Sequence, residues 1–147
     1  MFGDRKEYDL QSADRFYDYK GKVRRYMELA RRVAFQSCFP DYRHGAVLAR
    51  GGSVINTSHN KGNFCSFGDR FRKKEFGKAT VHAEIGVILG LERSITEGAT
   101  VYVARVGKDG DFRMSKPCHM CHGVLKHVGV KRVVYTIDNK VAGSYKL

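Results

Sequence analysis

The 147-residue chain contains no tryptophan, only two prolines and only four cysteines, and its 15 Asp and Glu are outnumbered by 27 Lys and Arg. No run approaches the ~18 apolar residues that a membrane-spanning helix needs, so no membrane span is expected. The first residues, MFGDRKEYDL, are charged and lack an apolar leader core, which makes the cytoplasm the expected compartment. In that reducing setting, four cysteines serve as ligands or free thiols rather than as disulfides. No internal repeat, low-complexity tract or linker divides the chain, and its length suits one domain over residues 1–147. The deficit of acids leaves a formal net charge of +12. That excess favours an anionic partner, a nucleotide or a nucleic acid, although solubility alone can also account for it.

Residues 1–20 mix charges and aromatics without a period and read as an N-terminal arm or an extra helical turn. From residue 21 a helical pattern sets in. Val23, Tyr26, Met27, Ala30, Val33, Ala34 and Ser37 form one face of a helix of about four turns. Arg24, Arg25, Glu28, Arg31 and Arg32 lie largely on the other, solvated face, and Pro40 stops the pattern. GAVLARGGSVINTS predicts a hairpin, with Ala46–Ala49 and Ser53–Thr57 flanking Gly51-Gly52. Residues 61–80 hold six Lys/Arg, four Phe and three Gly without a clean period. They read as an inserted basic loop, with a helical turn at most. Loops of that length usually function as lids or binding segments. VHAEIGVILGLER predicts a helix buried on more than one side, TVYVARV a strand, and GKDGDFRM a turn-rich connection. CHMCHGVLKHVGV predicts a helix starting at the thiols with Val124, Leu125 and Val128 inward, and KRVVYT a last clear strand. Helices alternating with strands after a hairpin predict an α/β layered fold around a mixed sheet.

The chemistry concentrates in SKPCHMCHG, where Cys118 and Cys121 stand three apart behind a proline. Two thiolates need further ligands to hold a metal. His119 and His122 are poor partners, since each diverges by about 100° from the adjacent thiolate on a helix. Cys38, beside a helix end, is expected to be buried. Cys65 and His59 could form an accessory site on the loop side. His82 opens a helix two positions before Glu84. Two helix N-termini then meet at one centre, where free N–H groups and the positive dipole end stabilise thiolates. One nitrogen and two sulfurs leave a fourth tetrahedral position for water, as in a catalytic rather than a structural zinc site. Glu84 can take a proton from such a water. A lone CxxC also fits a redox motif or a half-site, and a lone HAE signals nothing; the combination carries the assignment.

The pair H-x-E … P-C-x-x-C is the zinc deaminase signature. With RHGAVLARGGSVINTSHN, HAEIGVIL, TVYVARV and SKPCHMCHGVLKHVGVKRVVYT in order, the chain resembles the cytidine/deoxycytidylate deaminase superfamily from about residue 23 to 138, with 61–80 as an insertion. The resemblance implies a three-layer α-β-α domain with a mixed five-stranded sheet and a Zn2+ ion between two helices. It implies His82, Cys118 and Cys121 as metal ligands and Glu84 as the catalytic proton shuttle. Asn60 matches the family's contact to a sugar hydroxyl, and Ala83 its backbone N–H to the base. SHN here replaces the more usual Gly-aromatic-Asn, and Lys116 precedes the proline where many members have Glu or another residue. The implied reaction is hydrolytic deamination of cytosine to uracil, or of adenine to hypoxanthine, with release of ammonia. The resemblance also favours a homo-oligomer.

Three substrate classes follow. The first is a free nucleotide or nucleoside similar to deoxycytidylate (dCMP). The second is cytosine or adenine in single-stranded DNA or RNA, which the charge and the Phe/Lys/Arg mix of 64–78 would suit. For Phe64, Phe67, Phe71 and Phe76 the plainer reading is a small core within the loop. The third is a non-catalytic nucleotide-binding module, against which the retained Glu84 argues. In this superfamily the fifth strand runs parallel to the fourth in polynucleotide and tRNA deaminases and antiparallel in free-nucleoside deaminases. After KRVVYT only IDNKVAGSYKL follows, too few residues for a parallel crossover. With Asp138-Asn139 as turn residues, residues 141–147 are expected to pair back antiparallel on Val133–Thr136, which favours the small substrate.

Overall fold

The computed structural model describes residues 13–64, 66–71 and 80–147. The expected arm over 1–12 lies outside these residues, as do Cys65 and residues 72–79 of the expected basic loop. In chain order the elements are β1 (Arg15–Tyr17), α1 (Gly21–Ala34), β2 (Arg43–Arg50), β3 (Ser53–His59), β4 (Lys61–Phe64), α2 (Ser66–Asp69), β5 (Thr80–Val81), α3 (Ala83–Gly86), α4 (Arg93–Thr96), β6 (Thr100–Val106), β7 (Phe112–Arg113), α5 (His119–His127), β8 (Arg132–Thr136) and β9 (Ala142–Lys146).

The main sheet has the order β1-β9-β8-β6-β2-β3, with β7 also paired to β6. Only β6 and β8 are parallel, joined by the crossover through α5, and every other pair is antiparallel. Seven strands stand where five were expected. The five central ones match the expectation, and β1 and β7 are additions. β1 turns part of the expected arm into an edge strand, with Phe16 opposite Gly143. Its three residues carry too little alternation to be legible as a strand.

Side-chain parity sorts the sheet into two cores. Val47, Ala49, Tyr102, Ala104 and Val106 face α1, whose buried face is Val23, Tyr26, Met27, Ala30 and Ala34. Ala46, Leu48, Val101, Val103, Val133 and Tyr135 face α3 and α5, meeting Ile85, Met120, Val124 and Leu125. The result is an α-β-α sandwich. α1 packs so closely on β2 that a Cβ on Gly45 would overlap the Ala30 carbonyl oxygen and lie 2.7 Å from the Ala34 nitrogen. The helix ends at Ala34, before Pro40 is reached. The N–H groups of Gln36 and Ser37 bond back three residues, to Val33 and Ala34, and tighten the last turn. Gly51 and Gly52 have φ of 59° and 82°, as the two-residue β2–β3 turn requires.

Two expectations change. VHAEIGVILGLER does not form one long helix: α3 is a single turn, and the chain breaks through Gly90 at φ 77°. The Asn56 side chain, on β3, donates to the Val87 carbonyl at 3.1 Å, taking a group that a longer helix would have used. The expected 61–80 loop contains β4 and β5, paired antiparallel with Lys61 opposite Val81. Phe67 and Phe71 meet edge to face, with centroids 5.7 Å apart, and both pack on His127 of α5. These two anchor the segment to the main body, while Phe76 and the Phe64 side chain, the other members of the expected loop core, lie outside what the structure describes.

The terminal hairpin forms as expected. β9 returns antiparallel on β8, with Val133 opposite Tyr145 and Thr136 opposite Ala142. Asp138 closes the turn, its carboxylate accepting from the N–H groups of Lys140 and Val141 at 2.8 and 3.0 Å. Among the described residues no helix is long and apolar enough to cross a membrane.

Candidate metal centre and substrate cavity

His82 is the N-cap of α3 and Cys118 the N-cap of α5, each in extended backbone. Their side chains therefore leave the chain where two helices begin, and Cys121 joins them from the first turn of α5. His82 Nδ1 lies 3.7 Å from Cys118 Sγ and 3.3 Å from Cys121 Sγ. One donor atom from each residue falls within 4.8 Å of the others. Typical zinc–nitrogen and zinc–sulfur bonds at a tetrahedral angle put N and S about 3.5 Å apart. The observed separations bracket that value, and a donor set of two sulfurs and one imidazole is the chemistry zinc prefers. The residues present fit the ion. Burial pushes the Cys121 thiol up, while the hydrogen bond from Cys121, helped by His82, brings Cys118 down to about 4. One thiolate is thus already prepared before a metal enters.

Glu84 lies in the single turn of α3 at 4% exposure, and burial raises its carboxyl above the ordinary carboxylate range. It stands outside the three-residue donor group and is available to carry protons. The other sequence candidates are not brought into the centre. The His122 ring stacks on Tyr145, centroids 5.7 Å apart, and His59 Nδ1 meets the Asn60 carbonyl. Cys65, the other half of the expected accessory site, lies outside the described residues. Cys38 is exposed rather than buried, because the chain leaves α1 at Phe35 and turns outward, where the Ser37 hydroxyl accepts from the Phe39 N–H.

A cavity of about 390 Å³ opens on the centre and is lined by His82, Ala83, Glu84 and Cys118 together with Asn60. Ala83 supplies the first backbone N–H of α3. The Asn60 amide is tied at both ends, Nδ2 donating to the Tyr42 carbonyl at 2.6 Å and Oδ1 accepting from the His44 N–H at 3.0 Å. One N–H and one lone pair of that amide remain for a ligand.

Sequence reasoning missed most of the remaining lining: Phe39, Tyr42, His44, Arg105 and Met114, while Lys116 was noted only as a departure from the family. Burial, first of all, lowers His44 to about 4, so its imidazole is neutral near pH 7. Arg105 faces His44 across the β2–β6 pair. A signal for it did exist. In TVYVARV, Arg105 is in phase with Val101 and Val103, a cation at an inward position.

No curated protein sequence matches the chain. The fold resembles that of the dCMP deaminase from the cyanophage S-TIM5, with a TM-score of 0.56 at 20% identity over 80% of this chain and 85% of the other. It is also similar to a tRNA:A34 deaminase structure, with a TM-score of 0.49 at 31% identity over 78% of this chain and 76% of the other. A cytidine deaminase from Mycobacterium tuberculosis gives a TM-score of 0.47 at 20% identity, over 82% and 91% of the two chains. The family model for the cytidine and deoxycytidylate deaminase zinc-binding region matches residues 20–137, a span that includes the whole donor group and Glu84. The chain belongs to this deaminase family and is a zinc-dependent hydrolytic deaminase.

Proposed function

We propose that the protein converts the cytosine of a free nucleotide or nucleoside, dCMP-like in kind, to uracil with release of ammonia. The observation that carries this reading is the antiparallel return of β9 on β8, the arrangement of free-nucleoside deaminases. The cavity of about 390 Å³ suits one nucleotide.

His82, Cys118 and Cys121 hold the zinc. When bound, it supplies the electrophilic centre that acidifies water near pH 7. Glu84 takes the water's proton and delivers it to N3 of the ring as oxygen is added at C4. It then takes the proton of the new C4 hydroxyl and delivers it to the exocyclic amine as the C4–N bond breaks and the C4 carbonyl forms. Water and cytosine are consumed, and uracil and ammonia leave. A raised Glu84 suits both halves of this exchange, since burial makes its carboxylate a stronger base toward the water while the carboxyl it becomes can still pass the proton on. The Ala83 N–H donates to the base, and the remaining Asn60 N–H and lone pair engage a sugar hydroxyl.

A single-stranded nucleic acid is the second reading, in which the target base is cytosine or adenine. Phe39 and Tyr42 favour it, because both line the cavity and remain 38% and 60% exposed. Tyr42 also lies 5.0 Å beneath the Arg105 guanidinium, so an aromatic face and a cation meet at the cavity.

The test is to incubate purified protein with dCMP, cytidine, single-stranded DNA and tRNA, following ammonia release and base composition. Turnover of dCMP or cytidine is expected. Turnover of polymer with neither small substrate consumed would replace the first reading with the second.

A further inference from the structure

We propose that Arg105 is the phosphate anchor of this site and makes the enzyme select a nucleoside 5′-monophosphate over both the nucleoside and the 5′-triphosphate. The inference rests on the small-substrate reading above and assigns a residue to it.

Three observations converge on Arg105. It belongs to two cavities at once. It lines the cavity that holds Glu84 and Cys118, and also a neighbouring one of about 350 Å³ lined with Asp41, Lys108, Asp109 and Arg113. Its side chain thus stands at the junction, the direction in which a substrate whose base lies at Glu84 would extend.

The second observation is charge. Arg105 sits directly opposite Arg113 across the β6–β7 pair. Like charges in that position are destabilising unless compensated. Arg113 is compensated by Asp109, at 2.9 Å, and nearby Lys108 by Asp41, at 3.1 Å. No carboxylate among the described residues pairs with Arg105. Its Nε is buried and makes no hydrogen bond among them. A buried guanidinium N–H without an acceptor is costly, and an anion supplies the acceptor.

The third is pre-organisation. The guanidinium lies over the Tyr42 ring at 5.0 Å, so part of its rotamer freedom is already spent. A planar donor fork held in place is matched to a phosphate's oxygens.

The same arrangement limits how many phosphates the site accepts. Beyond Arg105, both further cations of the second cavity already have carboxylate partners. A β- or γ-phosphate entering it would meet Asp41 and Asp109 and would have to displace them. In that second cavity, among the described residues, Arg105 is the one cation without a carboxylate partner, which matches one phosphate group.

The experiment measures kcat and KM of the wild type and of Arg105→Ala and Arg105→Lys with dCMP, deoxycytidine, dCTP and a short single-stranded oligodeoxynucleotide. Calorimetric titration with dUMP and deoxyuridine, which needs no turnover, accompanies it. The wild type should prefer dCMP to deoxycytidine and to dCTP. Loss of a charge-assisted contact should lower the dCMP-to-deoxycytidine ratio of kcat/KM by roughly 10- to 100-fold in Arg105→Ala, almost wholly through KM. Binding of dUMP relative to deoxyuridine should fall by the same factor, and Arg105→Lys should restore part of it.

Several results overturn the proposal. One is an unchanged ratio in Arg105→Ala. Another is a loss that falls equally on both substrates through kcat, which would make Arg105 structural. A third is a wild type that prefers dCTP. Turnover of the oligonucleotide alone, with no binding of dUMP, overturns the small-substrate reading and the anchor together. Turnover of dCMP with an unchanged ratio overturns the anchor alone.

Discussion

Glu84→Gln keeps the size and shape of a side chain that is 4% exposed while removing its charge and its ability to exchange a proton. Packing around α3 should not change. If Glu84 serves the proton transfers proposed above, kcat should fall by about 10²–10⁴-fold, or roughly 2.7–5.5 kcal/mol of transition-state stabilisation. Zinc content should stay at one per chain, because the three donor atoms within 4.8 Å of one another do not include a Glu84 oxygen. Stability should move the opposite way from activity. Burial raises the folded-state pKa of Glu84 above the ordinary glutamate value of 4.5, so the folded state holds its proton more tightly than the unfolded chain does. Above pH 4.5 that difference opposes folding, and the opposition grows until the folded-state pKa is passed. Glutamine removes it. The metal-free variant should therefore be more stable near pH 7, by about 0.5–2 kcal/mol, or roughly 2–6 °C in Tm. The assay is ammonia release at saturating substrate, with elemental analysis and thermal melts at pH 4.5 and pH 7. A kcat within threefold of wild type would remove Glu84 from the proton pathway. Loss of zinc with loss of turnover would make Glu84 a ligand, contrary to the geometry.

Cys121→Ser should lose zinc and stability together, because the fully buried sulfur is both a ligand and part of the α3–α5 core; elemental analysis and a chemical melt check this, and full zinc retention would refute the ligand assignment. Gly45→Val should destabilise the fold by about 3 kcal/mol or more, since its Cβ meets backbone of α1 that cannot rotate away; a denaturant midpoint equal to wild type would mean that α1 does not pack on β2 as described. Asp14→Asn should cost no more than about 1 kcal/mol, because the 2.6 Å bond to Arg132 is largely exposed. The Asp14 carboxyl is lowered below the ordinary aspartate value of 3.8, chiefly by the Arg132 hydrogen bond, so its contribution is present above that pH and lost as pH falls through the lowered value; wild type and variant should converge in stability in strong acid.

What was legible in the sequence was local. The α1 face from Val23 to Ala34 is written in a 3.6-residue period, and every one of its apolar positions is buried. Gly51-Gly52 announced the β2–β3 turn, and Asp138-Asn139 the turn that brings β9 back antiparallel on β8. The metal donors were legible because helix starts are local signals, and both His82 and Cys118 cap helices. What escaped depended on distant residues. The helix expected over VHAEIGVILGLER is apolar on all sides, so no period marks its end; the Asn56 amide, 31 residues away, helps end it. β1 is a strand only because β9 lies beside it. Arg105 was hidden in a run that reads as a buried strand. Its place between two cavities depends on β2 and β7 as much as on its own position.

The pairing of Arg15 with Ser144 has a consequence for biosynthesis. A chain emerging from the ribosome at about 5–20 residues per second displays residues 15–17 many seconds before 142–144 exist. The hairpin of β2 and β3, with α1 laid across it, can assemble meanwhile, because its contacts are near in sequence. The β6–β8 crossover can follow, bringing the cysteines to His82. The outermost strand must wait for the last residues of the sheet, and until then it has nothing to pair with. Nascent chains should therefore gain metal-binding competence once residue 136 has cleared the exit tunnel, while Phe16 stays open to chaperones until Gly143 reaches it.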